Sequence, residues 1–315
     1  GLLKHNVKFI FEGEEEVGSK SLPAWVEANK ERLACDVILV SDTTMISDKV
    51  PSINCGMRGV TYLQVNVKGP DKDLHSGHYG GAVANPINTL CDMISSLIDK
   101  DGRVTIPGFY DDVEELSAED RASLARAPFD MEEYKESIGI KEVKGEKGYT
   151  TLERTAIRPC LDVCGIWGGY TGVGSKTVLP SEAHAKISMR IVPNQKADKI
   201  IDLAAKHILA IAPPYVEVSV EKMEAGNGFL IPITSPAYKA ASRAMTEVYG
   251  IEPVPSRGGG SICVLADMRN ILGADPLLMG FGLERDTIHS PNESYLLRQF
   301  YAGIESITLF YEYWK

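Results

Sequence analysis

Four apolar residues in a row, Val37-Ile38-Leu39-Val40, set the strongest limit on the fold. A strand with one wet face alternates apolar and polar positions, so a continuous run belongs to a strand covered on both faces. Such strands lie in sheets layered between helices. The preceding residues agree. Ser21-Leu22-Pro23-Ala24-Trp25 opens a helix that runs to about Leu33. Ser21 takes the N-cap position, and the proline falls in the first turn, where its missing N–H costs little. Val7-Lys8-Phe9-Ile10-Phe11 reads as an earlier strand. Strand, helix, strand makes a βαβ unit.

Both strands stop on acids. The first runs into Glu12-Gly13-Glu14-Glu15-Glu16, and the second into Ser41-Asp42. Open α/β sheets place ligands outside the carboxyl ends of their strands, so Glu15, Glu16 and Asp42 are predicted to converge. Crowded carboxylates repel unless water or a cation neutralises them, and one left free of the cation can act as a base. A solvated acidic turn would show the same residues. Glu14 is read as such a solvated acid.

Near Gly59 the pattern changes. Leu63, Val65 and Val67 alternate with Gln64, Asn66 and Lys68, as in a half-buried strand. A glycine-rich loop, Asp73-Leu74-His75-Ser76-Gly77-His78-Tyr79-Gly80-Gly81, precedes a helix with Val83, Ile87, Leu90, Ile94 and Leu97 at helical spacing. A charged helical insertion at 108–150 leads to a strand around Ile157–Ile166. A second alternating strand carries Ala185, Ile187, Met189 and Ile191. A helix from about Lys196 to Ile211 and a strand with Val216, Val218 and Val220 complete β-α-β-β-α-β. At 315 residues the chain exceeds the size at which single cores usually divide. The expected domains are 1–59 and 223–315, one catalytic α/β domain in two parts, with an inserted α+β, ferredoxin-like domain at 60–222.

The net charge of −10 and the lack of any long Lys/Arg run argue against a nucleic-acid partner. No apolar stretch is long enough to span a membrane and no signal peptide is visible, which gives the expectation of a cytoplasmic protein. The six cysteines are dispersed, and Cys160 and Cys164 have no second pair at zinc spacing, so buried free thiols are expected.

The run Glu12-Gly13-Glu14-Glu15-Glu16-Val17-Gly18-Ser19, the Ser41-Asp42 strand end, Leu74-His75-Ser76-Gly77 and Ile288-His289-Ser290-Pro291-Asn292-Glu293 together resemble the dinuclear-zinc peptidases of the carnosine dipeptidase, glutamate carboxypeptidase and acetylornithine deacetylase type. The bacterial dipeptidases of that family look most similar. The resemblance covers nearly the whole chain, with the motifs in the family's order. It implies a mixed-sheet catalytic domain interrupted by a lid that mediates homodimerisation. It further implies two divalent metal ions, zinc first, with manganese or cobalt as alternatives. Glu15 would be the general base acting on a metal-bridging water, Glu16 and His289 ligands of one metal, and Asp42 a ligand of the other. His75 would reach the partner subunit's site and stabilise the oxyanion. Arg190, Thr177 and the Gly259-Gly260-Ser261 loop would bind substrate. His78 has no counterpart in the pattern and is read as a surface residue.

Three features depart from the family pattern. No His-x-Asp precedes Glu12, so the chain is expected to be a fragment holding half of a metal site. Gly258 stands where carnosine-type dipeptidases carry a glutamate that recognises a free amine. A family histidine is missing near Glu224-Ala225-Gly226-Asn227. The expected activity is hydrolysis of dipeptides or short peptides. Two alternatives remain: deacylation of N-acyl amino acids, and a noncatalytic dimerising scaffold.

Overall fold

The structure, a computed structural model, describes residues 4–260 and 262–315, apart from the side chains of residues 119, 120, 123 and 284. A 3-10 turn, Glu15–Val17, comes first, then α1 (Leu22–Ala28), α2 (Lys30–Leu33), β1 (Val37–Val40), β2 (Ser52–Met57) and β3 (Gly59–Lys68). Next are β4 (Leu74–His75), α3 (Ser76–Tyr79), α4 (Pro86–Ser96), α5 (Ala118–Leu124), α6 (Met131–Ser137) and α7 (Thr151–Ala156). They are followed by β5 (Cys160–Gly168), β6 (Val178–Leu179), β7 (Glu182–Ile191), α8 (Ala197–Ala210), β8 (Glu217–Gly226) and β9 (Phe229–Leu230). The chain closes with α9 (Pro236–Tyr249), β10 (Val254–Gly258), α10 (Cys263–Leu272), β11 (Asp275–Leu278) and α11 (Leu297–Tyr313).

Packing divides the chain into two units. The first comprises residues 1–57, 115–141 and 228–315, and the second 58–114 and 142–227. Residues 115–141 therefore pack with the first unit rather than with the segments on either side of them in sequence.

The first unit is built on a mixed sheet in the order β1-β11-β2-β10, with β9 beside β2. β1 runs parallel to β11 and β10 parallel to β2, while β11 meets β2 antiparallel at Leu278 and Asn54. The continuous apolar run of β1 has the two-sided cover it predicts. Val37 and Leu39 pack against a cluster containing Tyr238, Met245 and Phe310 from α9 and α11. Ile38 and Val40 face another containing Leu22, Val26, Val264 and Met268 from α1 and α10. Side chains at successive strand positions point to opposite faces, so four consecutive apolar residues are the composition this layer requires.

The second unit holds the antiparallel sheet β5-β7-β3-β8, the strand order of a β-α-β-β-α-β arrangement. On one face Leu63, Val65, Ala185, Ile187 and Met189 pack against Leu90 and Met93 of α4 and Ile200, Ala204 and Ile208 of α8. Each large aliphatic side chain buried there contributes about 1.5–3 kcal/mol. A buried ion cluster fixes the segment leading into β5. Glu146, 5% exposed, accepts from Arg158 Nε and Nη2 and from Arg103 Nη1, each at 2.8 Å, while Arg158 itself is 2% exposed.

Three local expectations are corrected. Residues 7–11 form no strand; Phe9 and Phe11 are exposed and stack on each other, because no described strand lies alongside to accept their backbone groups. Ser21 does not cap α1 through its side chain. Its backbone is helical, φ −86° and ψ −24°, rather than extended as in a cap, and its hydroxyl and N–H both donate to Glu14, at 2.6 and 3.0 Å. Glu14 is thus a bonded scaffold residue and not only a solvated acid. Of the six free thiols only Cys55 is buried, whereas Cys160 is half-buried and Cys164 exposed. Both lie on β5, an edge strand, where no neighbouring strand screens one side.

Among the described residues, no helix is long and apolar enough to cross a membrane.

Candidate active site

In the first unit the acidic turn and the loop before α11 meet. His289 Nε2 lies 3.2 Å from Glu16 Oε1, and both side chains are about 70% exposed, 70% and 72%. They are therefore accessible to a ligand. Glu15 sits between them in charge. Its carboxyl is pushed above the ordinary glutamate range, first by partial burial and then by the charges of Glu16, Asp42 and Glu12, with His289 opposing. The charges of Glu16, Asp42 and His289 thus all reach Glu15. A carboxylate whose pKa is raised in this way is a stronger base toward a water proton.

Local structure explains the arrangement. Glu15 and Glu16 do not end a strand; they occupy a 3-10 turn closed by Gly18 at φ 88°. Successive residues of such a turn diverge by about 120°, so the two carboxylates still point in different directions. Ser19 donates to Glu12 at 3.1 Å, and Ser21 holds Glu14, which leaves Glu15 and Glu16 as the turn's outward carboxylates. Asp42 follows β1, and Ser41 next to it donates to Met279 O at 2.8 Å. On the other side, Thr287, His289 and Asn292 all have positive φ, at 54°, 60° and 65°. Non-glycine residues in this region are strained, and such strain gathers at functional sites. Buried Asp286 anchors the loop by accepting from Leu283 N–H at 2.8 Å.

The donor types, imidazole and carboxylate, suit a divalent cation such as zinc. Their convergence does not: among the described residues, no three His, Cys, Asp or Glu side chains come close enough to hold an ion. The Glu16–His289 pair supplies two donors.

Gly259 and Gly260 form a bend between β10 and α10, and Ser261 lies outside the described residues. The N-terminus of α10 has no side-chain cap and no acid in its first turn, so its N–H groups suit an anion. A Cβ at Gly258 would stand 2.6 Å from Asn54 Nδ2, so Asn54 fills the space a side chain there would need.

The second unit brings together two other candidates. β4 pairs with β6, setting His75 opposite Val178. His75 Nε2 lies 3.4 Å from Thr177 Oγ1, and both residues are exposed. Arg190 is elsewhere, half-buried near the far end of β7. Its charge helps lower the pKa of Arg58, whose main cause is burial, so two guanidinium groups share this end of the sheet. His78 is exposed, as expected of a surface residue, and its ring stacks on His75 with centroids 4.6 Å apart. The only sequence signal was the His-x-x-His spacing.

The chain resembles known proteins over most of its length. It is 32% identical to the Cys-Gly metallodipeptidase of Schizosaccharomyces pombe, covering 95% of this chain and 64% of that protein. It is 31% identical to the Beta-Ala-His dipeptidase of Homo sapiens, covering 97% and 61%. The chain therefore spans just under two thirds of these relatives. Among solved structures, the dipeptidase Dug1p of Saccharomyces cerevisiae superposes with a TM-score of 0.83 at 30% identity, covering 96% of this chain and 64% of that one. The metallo-carboxypeptidase Sso-CP2 of Sulfolobus solfataricus gives 0.86 at 33%, covering 96% and 69%. Residues 1–313 match the pattern of Peptidase family M20/M25/M40, and the chain belongs to that family.

Proposed function

We propose that the protein hydrolyses the peptide bond of dipeptides or other short peptides. The observation that carries this reading is the contact of Glu16 with His289, with the Glu15 carboxyl raised beside it. Glu15 takes a proton from the attacking water, whose oxygen bonds to the scissile carbonyl carbon. When the C–N bond breaks, Glu15 returns that proton to the leaving amine. His75 donates a hydrogen bond to the oxygen that becomes negative. Arg190 and the Gly259-Gly260-Ser261 loop hold the substrate's terminal carboxylate, and Thr177 orients its backbone. Glu16, Asp42 and His289 would contribute metal ligands. Bound divalent ions, two by family analogy and zinc first among them, would polarise the carbonyl and acidify the water.

Dimerisation follows from the same reading. Arg190 lies eight residues beyond Glu182 on β7, roughly 26 Å along the strand. His75 belongs to the β4–β6 pair, which joins β7 at the Glu182 end through the bonds of Ser181 to Asp73. A separation of that order is too long for one dipeptide to touch both residues of the same copy. This supports a homodimer in which His75 serves the partner subunit's site.

The relatives' names point to Cys-Gly and β-Ala-His as first substrates. A second reading, deacylation of N-acyl amino acids, is favoured by Gly258, where Asn54 occupies the space a carboxylate side chain would need. The test measures amino acid release from Cys-Gly, β-Ala-His and an N-acetyl amino acid, with zinc or manganese, by this chain and by the full product of its gene. Peptide hydrolysis that falls at least about a hundredfold in Glu15→Gln supports the reading. Full activity in that variant refutes the assigned base, and cleavage of only the N-acetyl substrate selects the deacylase.

A further inference from the structure

His75 is held on three sides. Gly77 N–H donates to His75 Nδ1 at 3.1 Å. The imidazole lies against the bare Cα of Gly77: a Cβ there would stand 2.9 Å from His75 Cε1 and 3.1 Å from Nδ1. The His78 ring covers another side at 4.6 Å and 29°. The remaining nitrogen, Nε2, is directed at Thr177 Oγ1 and the solvent around it. An Nδ1 that accepts from a backbone N–H carries no proton of its own. The neutral ring must then carry its proton on Nε2.

We propose that Gly77 and His78 form a cradle presenting His75 as a neutral Nε2–H donor, with His78 a positioning residue for the ring. The proposal rests on the hydrolase reading above, in which His75 donates to the developing oxyanion. A donor used in this way needs a fixed direction and a proton already in place. The backbone bond supplies the tautomer, and the stack limits rotation of the ring. Titratable groups near His75 or Thr177 in the chain include Asp73, Lys176 and Tyr79. Asp73 accepts from Ser181 at 3.0 and 3.1 Å, Lys176 lies 5.7 Å from the Tyr170 ring, and Tyr79 ends α3.

The test combines nitrogen-15 NMR of the imidazoles at pH 8 with dipeptide kinetics, on the full gene product. His75 is expected to show an unprotonated Nδ1 and a protonated Nε2, and Gly77→Ala is expected to lose that selection. His78→Ala should lower kcat on the order of tenfold with KM changed less than about twofold, the loss expected of a displaced donor. His78→Phe keeps a flat ring and should restore most of the rate. A protonated Nδ1 or a mixture of tautomers in the unsubstituted protein overturns the proposal, as do equal rates in His78→Ala and His78→Phe. His75→Ala separates the two readings. If it hydrolyses dipeptides at full rate, the role of His75 in the reaction fails, while the NMR signal still judges the cradle.

Discussion

Glu16 and His289 are 273 residues apart in sequence, yet Oε1 of one and Nε2 of the other are 3.2 Å apart. The contact joins a turn near the start of the chain to the strained loop before its last helix. A carboxylate and an imidazole at this distance, both open to solvent, form a ready pair of ligands for a divalent ion.

If both residues hold the same ion, replacing either should weaken zinc binding by at least about tenfold in calorimetric titration. Replacing both should cost little more than replacing one, because a broken pair cannot be broken twice. Two independent, additive losses would show that they serve different ions, and no loss in either variant that they serve none.

The cluster of Glu146, Arg158 and Arg103 should dominate the stability of the second unit. Glu146→Gln removes the charge that Arg158 meets through two hydrogen bonds, at a site where both side chains are almost fully buried. Breaking a buried pair from one side costs about 3–5 kcal/mol. Urea unfolding should show a lower midpoint for this variant, with part of the loss recovered when Arg158 is also replaced by methionine.

Asp267 on α10 should make stability depend on pH. Burial alone raises its carboxyl above the ordinary aspartate range. The folded state therefore favours the protonated form. Its contribution is present below the unfolded pKa and is lost as pH rises through the folded one. Asp267→Asn should melt a few degrees above the parent at pH 7 and level with it near pH 3. A melting curve unchanged at pH 7 would contradict the shift.

Gly280 follows β11 and touches the chain beside Asp42. A Cβ at Gly280 would stand 1.9 Å from Thr43 O. Gly280→Ala must push the Asp42–Thr43 strand end aside, at about 2–4 kcal/mol. Unfolding by urea measures the cost.

The layers of the fold were legible because burial leaves a pattern in the sequence. Val37–Val40 is apolar at every position because helices cover both faces, and the second unit's strands alternate because helices cover one. Pairing partners leave no such pattern. Phe9 and Phe11 have the composition of a strand, but an extended segment without a neighbour stays unpaired. Ser21 has the position of a cap, but a carboxylate seven residues upstream captures its hydroxyl. For the site, the order of motifs singled out Glu15, Glu16, Asp42 and His289 and already paired Glu16 with His289; the folded chain adds the 3.2 Å contact between them. The stacking of His78 on His75 could not be read, because it depends on ring orientation, which spacing does not encode.

The order β1-β11-β2-β10 bears on how the chain can be made. β11 lies between β1 and β2, both of which precede it in the chain. β1 and β2 stay without the strand that separates them until the chain has been made as far as Leu278. The second unit, complete by residue 227, has all of its strands much sooner. Translation therefore completes the strands of the second unit before those of the first, and the acidic turn of Glu15 and Glu16 waits for the loop that carries His289.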